Sequence, residues 1–384
     1  MAKPLGSFIL LYALLYAAFG VASPFWPRFF EAHGMSPEQI GLLLGLGTIV
    51  RLAAGPVAAR VADRLQRLRL VLAAAAALAA CLASGLPLVG GFWILLVARL
   101  CHEAALTPTT SLADALALGA SKSRSTGFEY GWVRGSASLA FVFGTLAAGQ
   151  VIVWTSLTSI AWMQGALLLG AAASTVLLPV PHGSTSATTG PSSIRAFREL
   201  LGIAPFRRLV LIAALVFGSH AMHDAFAVIR WNASGIGPAT ISVLWSEAVV
   251  AEVVVFFLIG PRVVDKLGPG GAAAIASVAA VVRWIVMALS TDPVALAIVQ
   301  PFHGLTFALL HLACMRLMGA AVPRHLAATA QAIYALGPGL LTALLTLSSG
   351  LLYARLGAGG FLLMAGLAAL ALPLCSGLKD PARL

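Results

Sequence analysis

Apolar residues come in long runs along this chain, and short polar or glycine- and proline-rich segments separate the runs. A transmembrane helix needs about 20 predominantly apolar residues, because it must cross about 30 Å of hydrocarbon. Twelve runs meet this requirement. They cover residues 7–30, 38–59, 69–88, 93–118, 127–150, 155–179, 205–231, 239–260, 271–290, 294–319, 326–353 and 359–378. The pattern therefore predicts an all-α, polytopic membrane protein with twelve transmembrane helices.

The polar segments repeat at a fixed distance along the chain. Gly34–Ile40 joins the first two runs, and Gly235–Ile241, which begins 201 residues later, joins the seventh and eighth runs with a similar sequence. The stretch 181–204 is the one long segment that apolar residues do not dominate. We therefore predict two pseudo-symmetric six-helix bundles, residues 1–180 and 205–384, joined by a cytoplasmic linker at 181–204.

Composition agrees with a membrane protein. Hydrophobic residues make up 60% of the chain and charged residues 10%, whereas soluble domains contain about 25% charged residues. The net charge of +11 does not indicate nucleic-acid binding, since no basic helix or basic-aromatic stripe accompanies it.

Lys and Arg instead concentrate in alternate loops, and the opposite loops hold only Arg28, Arg230 and Arg355. By the positive-inside rule we expect both termini in the cytoplasm, with the protein in the bacterial inner membrane.

Charged residues inside the predicted helices indicate where function lies, because an ionisable group at the bilayer centre costs at least about 2.5–3.5 kcal/mol. The third, sixth and twelfth helices carry none of them, and the ninth carries only Arg283. We expect these four helices to face lipid and the other eight to surround a water-filled cavity. The full set is Arg51, Arg99, Glu103, Asp114, Glu129, Arg134, Asp224, Glu247, Glu252, Arg283 and Arg316.

Several motifs resemble those of the major facilitator superfamily. Its loop signature between the second and third helices is matched by Gly55, Asp63 and Arg64, with a second copy at Gly260 and Asp265. Other segments look like the 3-phenylpropionate permease branch, which is also related to nucleoside/proton symporters. These segments are Pro24–Pro27, Phe128–Gly131, Arg134–Ser136, Gly218–Ala221, Leu244–Trp245, Arg283–Trp284 and Gln331–Tyr334. The resemblance implies the major facilitator fold and a secondary active transporter that works by alternating access.

The resemblance also implies a cargo, a small organic anion such as an aromatic carboxylate. Embedded acids and histidines, without a nucleotide-binding domain, favour proton-coupled symport. The expected partners are a small-molecule substrate, protons and membrane lipid, with no nucleic acid, and we expect a monomer without cofactors or metals.

A proton-coupled transporter of nucleosides or other neutral solutes is the alternative within this class. A non-transporting membrane solute sensor is an alternative from another class, while the absence of a nucleophile triad or phosphate loop argues against an enzyme.

The first half contains two groups of candidate residues. Arg99 and Glu103 are four apart on one helix face and can pair, with His102 on the same turn. An anionic substrate that binds Arg99 would release Glu103 to take up a proton, so Glu103 is the expected proton carrier; a pair that only neutralises buried charge is the alternative. Glu129 and Arg134 are five apart and point in different directions. The forked donors of Arg134 suit an organic anion, or Arg134 supports the first or fourth helix.

The second half contributes acids and histidines. His220 and Asp224 are four apart on one face of the seventh helix, so they can share a proton, and Asp224 is the second candidate carrier. Glu247 has no evident partner in sequence, and burial would favour its neutral form. His303 and His311 line one face of the tenth helix, either as part of the substrate and proton pathway or as packing residues.

We expect the remaining charged residues to gate or stabilise the protein. Asp63, at the cytoplasmic end of the second helix, is predicted to be a gate residue rather than a substrate contact. Asp114 is predicted to form a latch with Arg64 or Arg67. Arg316 is predicted to repeat the latch with Asp265, and Glu252 and Arg283 to form a structural ion pair. The full gating and structural set is Asp63, Arg64, Asp114, Glu252, Asp265, Arg283 and Arg316.

Overall fold

The computed structural model describes residues 4–121, 127–179 and 194–378, without the side chains of Asp63, Ile194 and Arg195. Within these ranges the regular structure is entirely helical. Residues 181–193 of the predicted linker lie outside the described residues. So do Lys122 and Arg124, two basic residues of the loop between the fourth and fifth predicted helices. The helices of the first half are α1 (Pro4–Ala22), α2 (Trp26–Ala32), α3 (Pro37–Leu65), α4 (Leu68–Gly85), α5 (Phe92–Leu106), α6 (Pro108–Ser121), α7 (Tyr130–Trp154) and α8 (Ser159–Ser174).

The second half continues with ten helices in the described residues. They are α9 (Ile194–Gly202), α10 (Ala204–Gly218), α11 (Ala221–Ala233), α12 (Pro238–Val254), α13 (Gly260–Leu289), α14 (Pro293–Val299), α15 (Leu310–Ala321), α16 (Ala327–Leu356), α17 (Gly360–Ala369) and α18 (Leu372–Cys375). Two π-helical turns, Val255–Ile259 and Gly304–Leu309, interrupt this series.

Nine helical stretches in the described ranges are long and apolar enough to cross a membrane. Two of them, Pro238–Leu289 and Arg324–Cys375, have 52 residues each, which is enough for two crossings. Residues 92–121 are not among the nine, because the helix ends at Leu106 and restarts at Pro108, whose ring has no backbone N–H to continue it. With this broken helix counted, the architecture is consistent with the twelve predicted crossings.

The chain divides into two compact units. The first comprises Met1–Met35, Leu46–Ala187 and Gly237–Val243. The second comprises Ser36–Gly45, Thr188–Ile236 and Leu244–Leu384. The beginning of α3 therefore groups with the second unit and the beginning of α12 with the first. The bundle boundaries that the sequence predicts at 180 and 205 remain a prediction.

In the first unit α1 packs along α7 and α8. Small residues permit this close approach: a methyl group on Gly144 would lie 2.9 Å from the Cα atom of Ala17. Thr145 adds a hydrogen bond, donating its hydroxyl to the carbonyl oxygen of Gly20 at 2.9 Å. Close contact between small residues is a common basis of helix packing in membranes, where no hydrophobic effect drives helices together.

The second unit is arranged around α13, which packs against α15 and α17. Its backbone turns at Gly268, where φ is 73°, a value that glycine adopts without steric cost. The π-helical turn at Gly304–Leu309 meets α12 closely, since a methyl group on Gly304 would lie 2.6 Å from the carbonyl oxygen of Ala251. Such turns occur often at functional sites.

The sequence repeat corresponds to a repeated turn. Gly34 and Gly235 both adopt a left-handed conformation, with φ of 79° and 87°. Met35 donates its backbone N–H to the carbonyl oxygen five residues earlier at 3.2 Å, and Ile236 does the same at 3.0 Å. The two halves of the chain therefore end a helix in the same way at equivalent positions.

Candidate functional site

A first polar cluster lies on α5 in the first unit. Arg99 forms an ion pair with Glu103, which confirms that these two side chains pair, and both are more than nine-tenths buried. Arg99 also donates to Nδ1 of His102 at 2.7 Å, and its guanidinium lies 5.1 Å from the centre of the Trp26 ring. A neutral His102 therefore carries its proton on Nε2, a buried atom without a hydrogen-bond partner among the described residues. The charges of Arg99 and Glu103 are therefore paired with each other and shielded from solvent.

A second cluster in the first unit is built around Asp114 on α6. Tyr12 and Tyr130 donate their hydroxyls to Oδ1 of Asp114 at 2.5 and 2.6 Å. Arg134 lies 3.8 Å from the same oxygen and donates to the hydroxyl of Tyr16 at 2.5 Å. Its guanidinium lies 5.3 Å from the centre of the Tyr16 ring. The side chains of Arg134 and Asp114 keep 43% and 35% of their surface exposed, so this cluster is accessible.

These contacts correct the prediction that Asp114 forms a latch with Arg64 or Arg67. The partners of Asp114 come from α1 and α7, because α6 packs against both of these helices at this depth. Arg64 and Arg67 are exposed, at the end of α3 and in the turn that follows it. For Arg134, the contacts show that it bridges to the first and fourth predicted helices, through Tyr16 and Asp114.

A third cluster lies in the second unit, with Arg283 of α13 at its centre. Arg283 has 0% of its surface exposed, although it carries a charge. It donates to Oε1 of Gln300 at 2.6 Å, to Nε2 of His223 at 3.2 Å and to Nδ1 of His303 at 3.3 Å. The guanidinium also lies 4.7 Å from the centre of the Trp284 ring. Three acceptors and an indole face thus replace the water that a buried cation loses.

The geometry around Arg283 determines which ring nitrogens carry protons. Arginine can only donate, so the imidazole nitrogens that face it are acceptors. A neutral His223 therefore carries its proton on Nδ1, which lies 3.2 Å from Oδ1 of Asp224. A neutral His303 carries its proton on Nε2, which lies 3.5 Å from Oε2 of Glu252. Each imidazole connects the buried arginine to a carboxylate.

This arrangement corrects the predicted direct ion pair between Glu252 and Arg283. His303 lies between the two groups and contacts each of them through a different ring nitrogen. The sequence places Glu252 and Arg283 at similar depths in the bilayer, but depth does not reveal that a third side chain occupies the space between them.

The predicted pairing of His220 with Asp224 is also wrong. The seventh predicted helix is interrupted at Ser219 and His220, so α10 ends at Gly218 and α11 begins at Ala221. Nδ1 of His220 lies 3.0 Å from the carbonyl oxygen of Val216, and Nε2 lies 3.0 Å from Oγ1 of Thr306. Asp224 instead meets its neighbour in sequence, His223.

The two histidines predicted to share a face of the tenth helix have different surroundings. The π-helical turn Gly304–Leu309 separates them. His303 stacks on Phe307 with ring centres 5.6 Å apart, in addition to its contact with Arg283. His311 faces the hydroxyl of Tyr334, with Nδ1 and the hydroxyl oxygen 3.1 Å apart.

Two predicted acids lie apart from these clusters. Glu129 is the exposed residue immediately before α7 rather than a residue within the helix. Glu247 on α12 is half-buried, and its Oε1 atom is buried without a hydrogen-bond partner in the ranges described.

Of the predicted gate contacts, one is present in the described side chains. Arg316 and Asp265 form an ion pair in the second unit, as the sequence predicts. Both side chains are accessible, with 39% and 65% of their surfaces exposed. The side chain of Asp63, the corresponding residue of the first half, lies outside the described residues, so its role stays a prediction.

The profile of the MFS_1 like family matches residues 6–363, which is most of the chain. The chain belongs to this family. It is therefore a multi-pass membrane transporter of the major facilitator superfamily, as its motifs indicate.

Proteins similar to this transporter are named for several different cargoes. It is 30% identical over 317 residues, 80% of each chain, to a protein of Escherichia coli strain K12 named as a probable 3-phenylpropionic acid transporter. It is 27% identical over 341 residues to a maltose permease of Geobacillus stearothermophilus, covering 87% of this chain and 84% of the permease. The crystal structure of the nucleoside transporter NupG superposes with a TM-score of 0.86 at 17% identity, covering 98% and 99% of the two chains. At that identity the likeness shows the fold alone.

Sequence reasoning about this MFS transporter missed its tyrosines. Tyr12 and Tyr16 are four apart on α1, and Tyr130 is four residues before Arg134 on α7, so their spacing was a usable signal. Gln300 was missed as well, because it is an uncharged residue within the tenth predicted run and its value as an acceptor depends on the position of Arg283.

Proposed function

We propose that this chain is a proton-coupled symporter that carries a small organic anion, an aromatic carboxylate, across the bacterial inner membrane by alternating access. The observation that carries the proposal is the accessible guanidinium of Arg134. Among the described residues, it donates one hydrogen bond to Tyr16 and has a counter-ion, Asp114, at 3.8 Å. An arginine has five N–H donors in a rigid fork, so Arg134 retains donors that match a carboxylate in two parallel hydrogen bonds.

The surroundings of Arg134 favour an anion with an aromatic ring. The ring of Tyr16 lies beside the guanidinium, and Phe19 meets Tyr16 edge-on with ring centres 5.6 Å apart. Aromatic rings pair well in offset or edge-to-face geometry. The cargo named for the Escherichia coli relative, 3-phenylpropionic acid, has this combination of one carboxylate and one ring.

The distance between Arg134 and Asp114, 3.8 Å, supports the proposed proton coupling. A substrate carboxylate on Arg134 would enter the field of the Asp114 carboxylate, and two like charges at such separation repel strongly in a partly buried site. A proton on Asp114 removes the repulsion, so substrate and proton each favour the binding of the other. Glu103 remains the alternative carrier, but its pair with Arg99 is closed, with side-chain exposures of 8% and 9%.

The test is uptake of 3-phenylpropionate into proteoliposomes with an imposed pH gradient, inside alkaline. We expect accumulation by the wild-type protein and loss of both binding and uptake in Arg134→Gln. A matched control is Arg28→Gln, because Arg28 is an accessible arginine of the same unit that pairs with Glu31. Equal uptake by Arg134→Gln and Arg28→Gln would refute the anion site.

The same experiment separates the other candidate functions. Competition by nucleosides or maltose, without competition by aromatic acids, would indicate a neutral-solute transporter. Binding of 3-phenylpropionate without any uptake or exchange would indicate a solute sensor.

A further inference from the structure

Two oppositely charged side chains of the first unit lie close together without a hydrogen bond between them. Nη1 of Arg134 is 3.8 Å from Oδ1 of Asp114, whereas an arginine hydrogen-bonded to a carboxylate lies about 2.7–2.9 Å from it. A movement of about 1 Å would close this gap, and the attraction between opposite charges favours the closure. Other contacts must therefore hold the two side chains apart.

Tyrosine hydroxyls hold the carboxylate. Tyr12 of α1 and Tyr130 of α7 donate to Oδ1 of Asp114 at 2.5 and 2.6 Å, and this is the oxygen nearest to Arg134. Tyr12 has 0% of its surface exposed, so packing fixes the position of its hydroxyl. Because the two donors come from different helices, Asp114 cannot move onto Arg134 without weakening at least one of these charge-assisted hydrogen bonds.

The guanidinium is held by the next turn of α1. Arg134 donates to the hydroxyl of Tyr16 at 2.5 Å and lies 5.3 Å from the centre of its ring. Tyr12 and Tyr16 are four residues apart, about 6 Å along a helix, and their rings stack with centres 5.9 Å apart. Two stacked tyrosines of one helix thus contact the carboxylate and the guanidinium on successive turns.

We propose that Tyr12 and Tyr130 are positioning residues, which keep Asp114 from closing onto Arg134 and so keep the anion site open. This inference rests on the proposed function, since the site that they keep open is the guanidinium of Arg134. A direct pair with Asp114 would use the parallel donors that a substrate carboxylate needs, so the substrate would have to displace Asp114 first. At 3.8 Å the Asp114 charge still acts on the site, as proton coupling requires.

The test measures the affinity of the purified full-length protein for 3-phenylpropionate by calorimetry. We expect the double variant Tyr12→Phe, Tyr130→Phe to bind about tenfold more weakly than the wild type. Adding Asp114→Asn should restore the affinity to that of Asp114→Asn alone, because a neutral amide competes far less for the guanidinium. Tyr353→Phe is the matched control, since its ring stacks on Phe226 in the second unit, and it should leave the affinity unchanged.

A second measurement needs no ligand. Thermal unfolding of Arg134→Gln, Asp114→Asn and the variant with both changes gives the interaction energy of these two side chains. We expect this energy to be larger in the background Tyr12→Phe, Tyr130→Phe than in the wild type, because the direct pair forms only there. If the double background does not fold, Tyr130→Phe alone, at a half-buried position, provides the same comparison.

Three outcomes would overturn the inference. The first is an unchanged affinity in Tyr12→Phe, Tyr130→Phe. The second is a loss of affinity that remains after Asp114→Asn is added, which would make the tyrosines substrate contacts or helix supports. The third is an equal interaction energy of Arg134 and Asp114 in both backgrounds. Failure of the wild type and of Asp114→Asn to bind 3-phenylpropionate, together with a larger interaction energy in the tyrosine variants, would instead refute the proposed function alone.

Discussion

Arg134 in the first unit and Arg283 in the second are both arginines embedded in predicted transmembrane helices, yet their surroundings differ completely. Arg134 is 43% exposed, and within the part of the chain that the structure describes it donates one hydrogen bond and has a counter-ion 3.8 Å away. Arg283 is fully buried and donates to three acceptors on neighbouring elements. An embedded arginine therefore indicates function only when its donors are not already used within the protein.

The carboxylates differ in the opposite direction. Asp114, beside the accessible arginine, receives two short hydrogen bonds from tyrosines. Asp224, at the edge of the network around the buried arginine, is the exposed member and receives one bond from His223. The accessible group of the first unit is thus a cation, Arg134, beside its counter-ion. The accessible group of the second unit is a carboxylate, Asp224, which His223 connects to the buried Arg283. This difference is what the following experiments address.

The largest expected effect concerns Arg283. Arg283→Leu leaves Gln300, His223 and His303 without their donor and removes the positive charge between two carboxylates. Breaking a buried charge network in this way costs about 3–5 kcal/mol. We expect little folded protein by size-exclusion chromatography and a strongly lowered melting temperature in detergent.

The control for Arg283→Leu is the same substitution at the other arginine. Arg134→Leu should change the melting temperature only slightly, because its side chain is half-exposed. Similar stability of the two variants would break the distinction between a structural and a ligand-binding arginine.

The second effect is a loss of coupling in Asp114→Asn. A neutral amide cannot take up a proton, so accumulation of 3-phenylpropionate driven by a pH gradient should be abolished. Exchange of labelled for unlabelled substrate should continue, since Arg134 remains in place. Counterflow and gradient-driven uptake in the same proteoliposomes measure the two activities.

Glu103→Gln is the comparison for this variant, because Glu103 is the carrier that the sequence predicts. We expect Glu103→Gln to retain accumulation if it folds. Accumulation lost in Glu103→Gln but retained in Asp114→Asn would transfer the proton site to α5.

A smaller effect is expected from Arg134→Lys. Lysine retains the positive charge but replaces the planar fork by a single ammonium group, which cannot form two parallel bonds to a carboxylate. Affinity for 3-phenylpropionate should fall by about tenfold, equivalent to about 1.4 kcal/mol. Calorimetric titration against wild type measures this change, and unchanged affinity would show that Arg134 does not hold the anion in a bidentate manner.

The smallest effect on stability is expected at Arg316 and Asp265. Exposed ion pairs contribute about 0–1 kcal/mol, so each single neutral substitution should shift the melting temperature little. If the pair acts as a latch, the rate of transport should fall in Asp265→Arg and recover in the double variant Asp265→Arg, Arg316→Asp. A double variant no faster than the single one would argue against the latch.

What the sequence predicted correctly depends on short-range geometry. Arg99 and Glu103 pair because residues four apart on a helix face each other, whatever surrounds them. Arg316 and Asp265 could be paired from the internal repeat. The runs of apolar residues likewise predict the membrane helices, since each run needs only its own length and composition.

What the sequence did not predict depends on which helices are neighbours. Asp114 bonds to tyrosines on α1 and α7, and periodicity shows a helix face but not the helix that it meets. His303 separates Glu252 from Arg283 for the same reason. The break at His220 and the π-helical turn after His303 changed the register of two helices. Gly218 and Ser219 precede the break and Pro301 precedes the turn, but a proline also lies within the uninterrupted helices α3 and α16, so such residues alone do not locate a break.

The most direct test of the account is the number of protons taken up when substrate binds. Titration of 3-phenylpropionate in buffers of different ionisation enthalpy, at a pH above neutrality, measures this number. We predict an uptake that approaches one proton per substrate for the wild type and no uptake for Asp114→Asn, with binding to the wild type tightening as the pH falls. No uptake by the wild type, or the same uptake in Asp114→Asn, would contradict the proposal that Arg134 and Asp114 couple the anion to the proton.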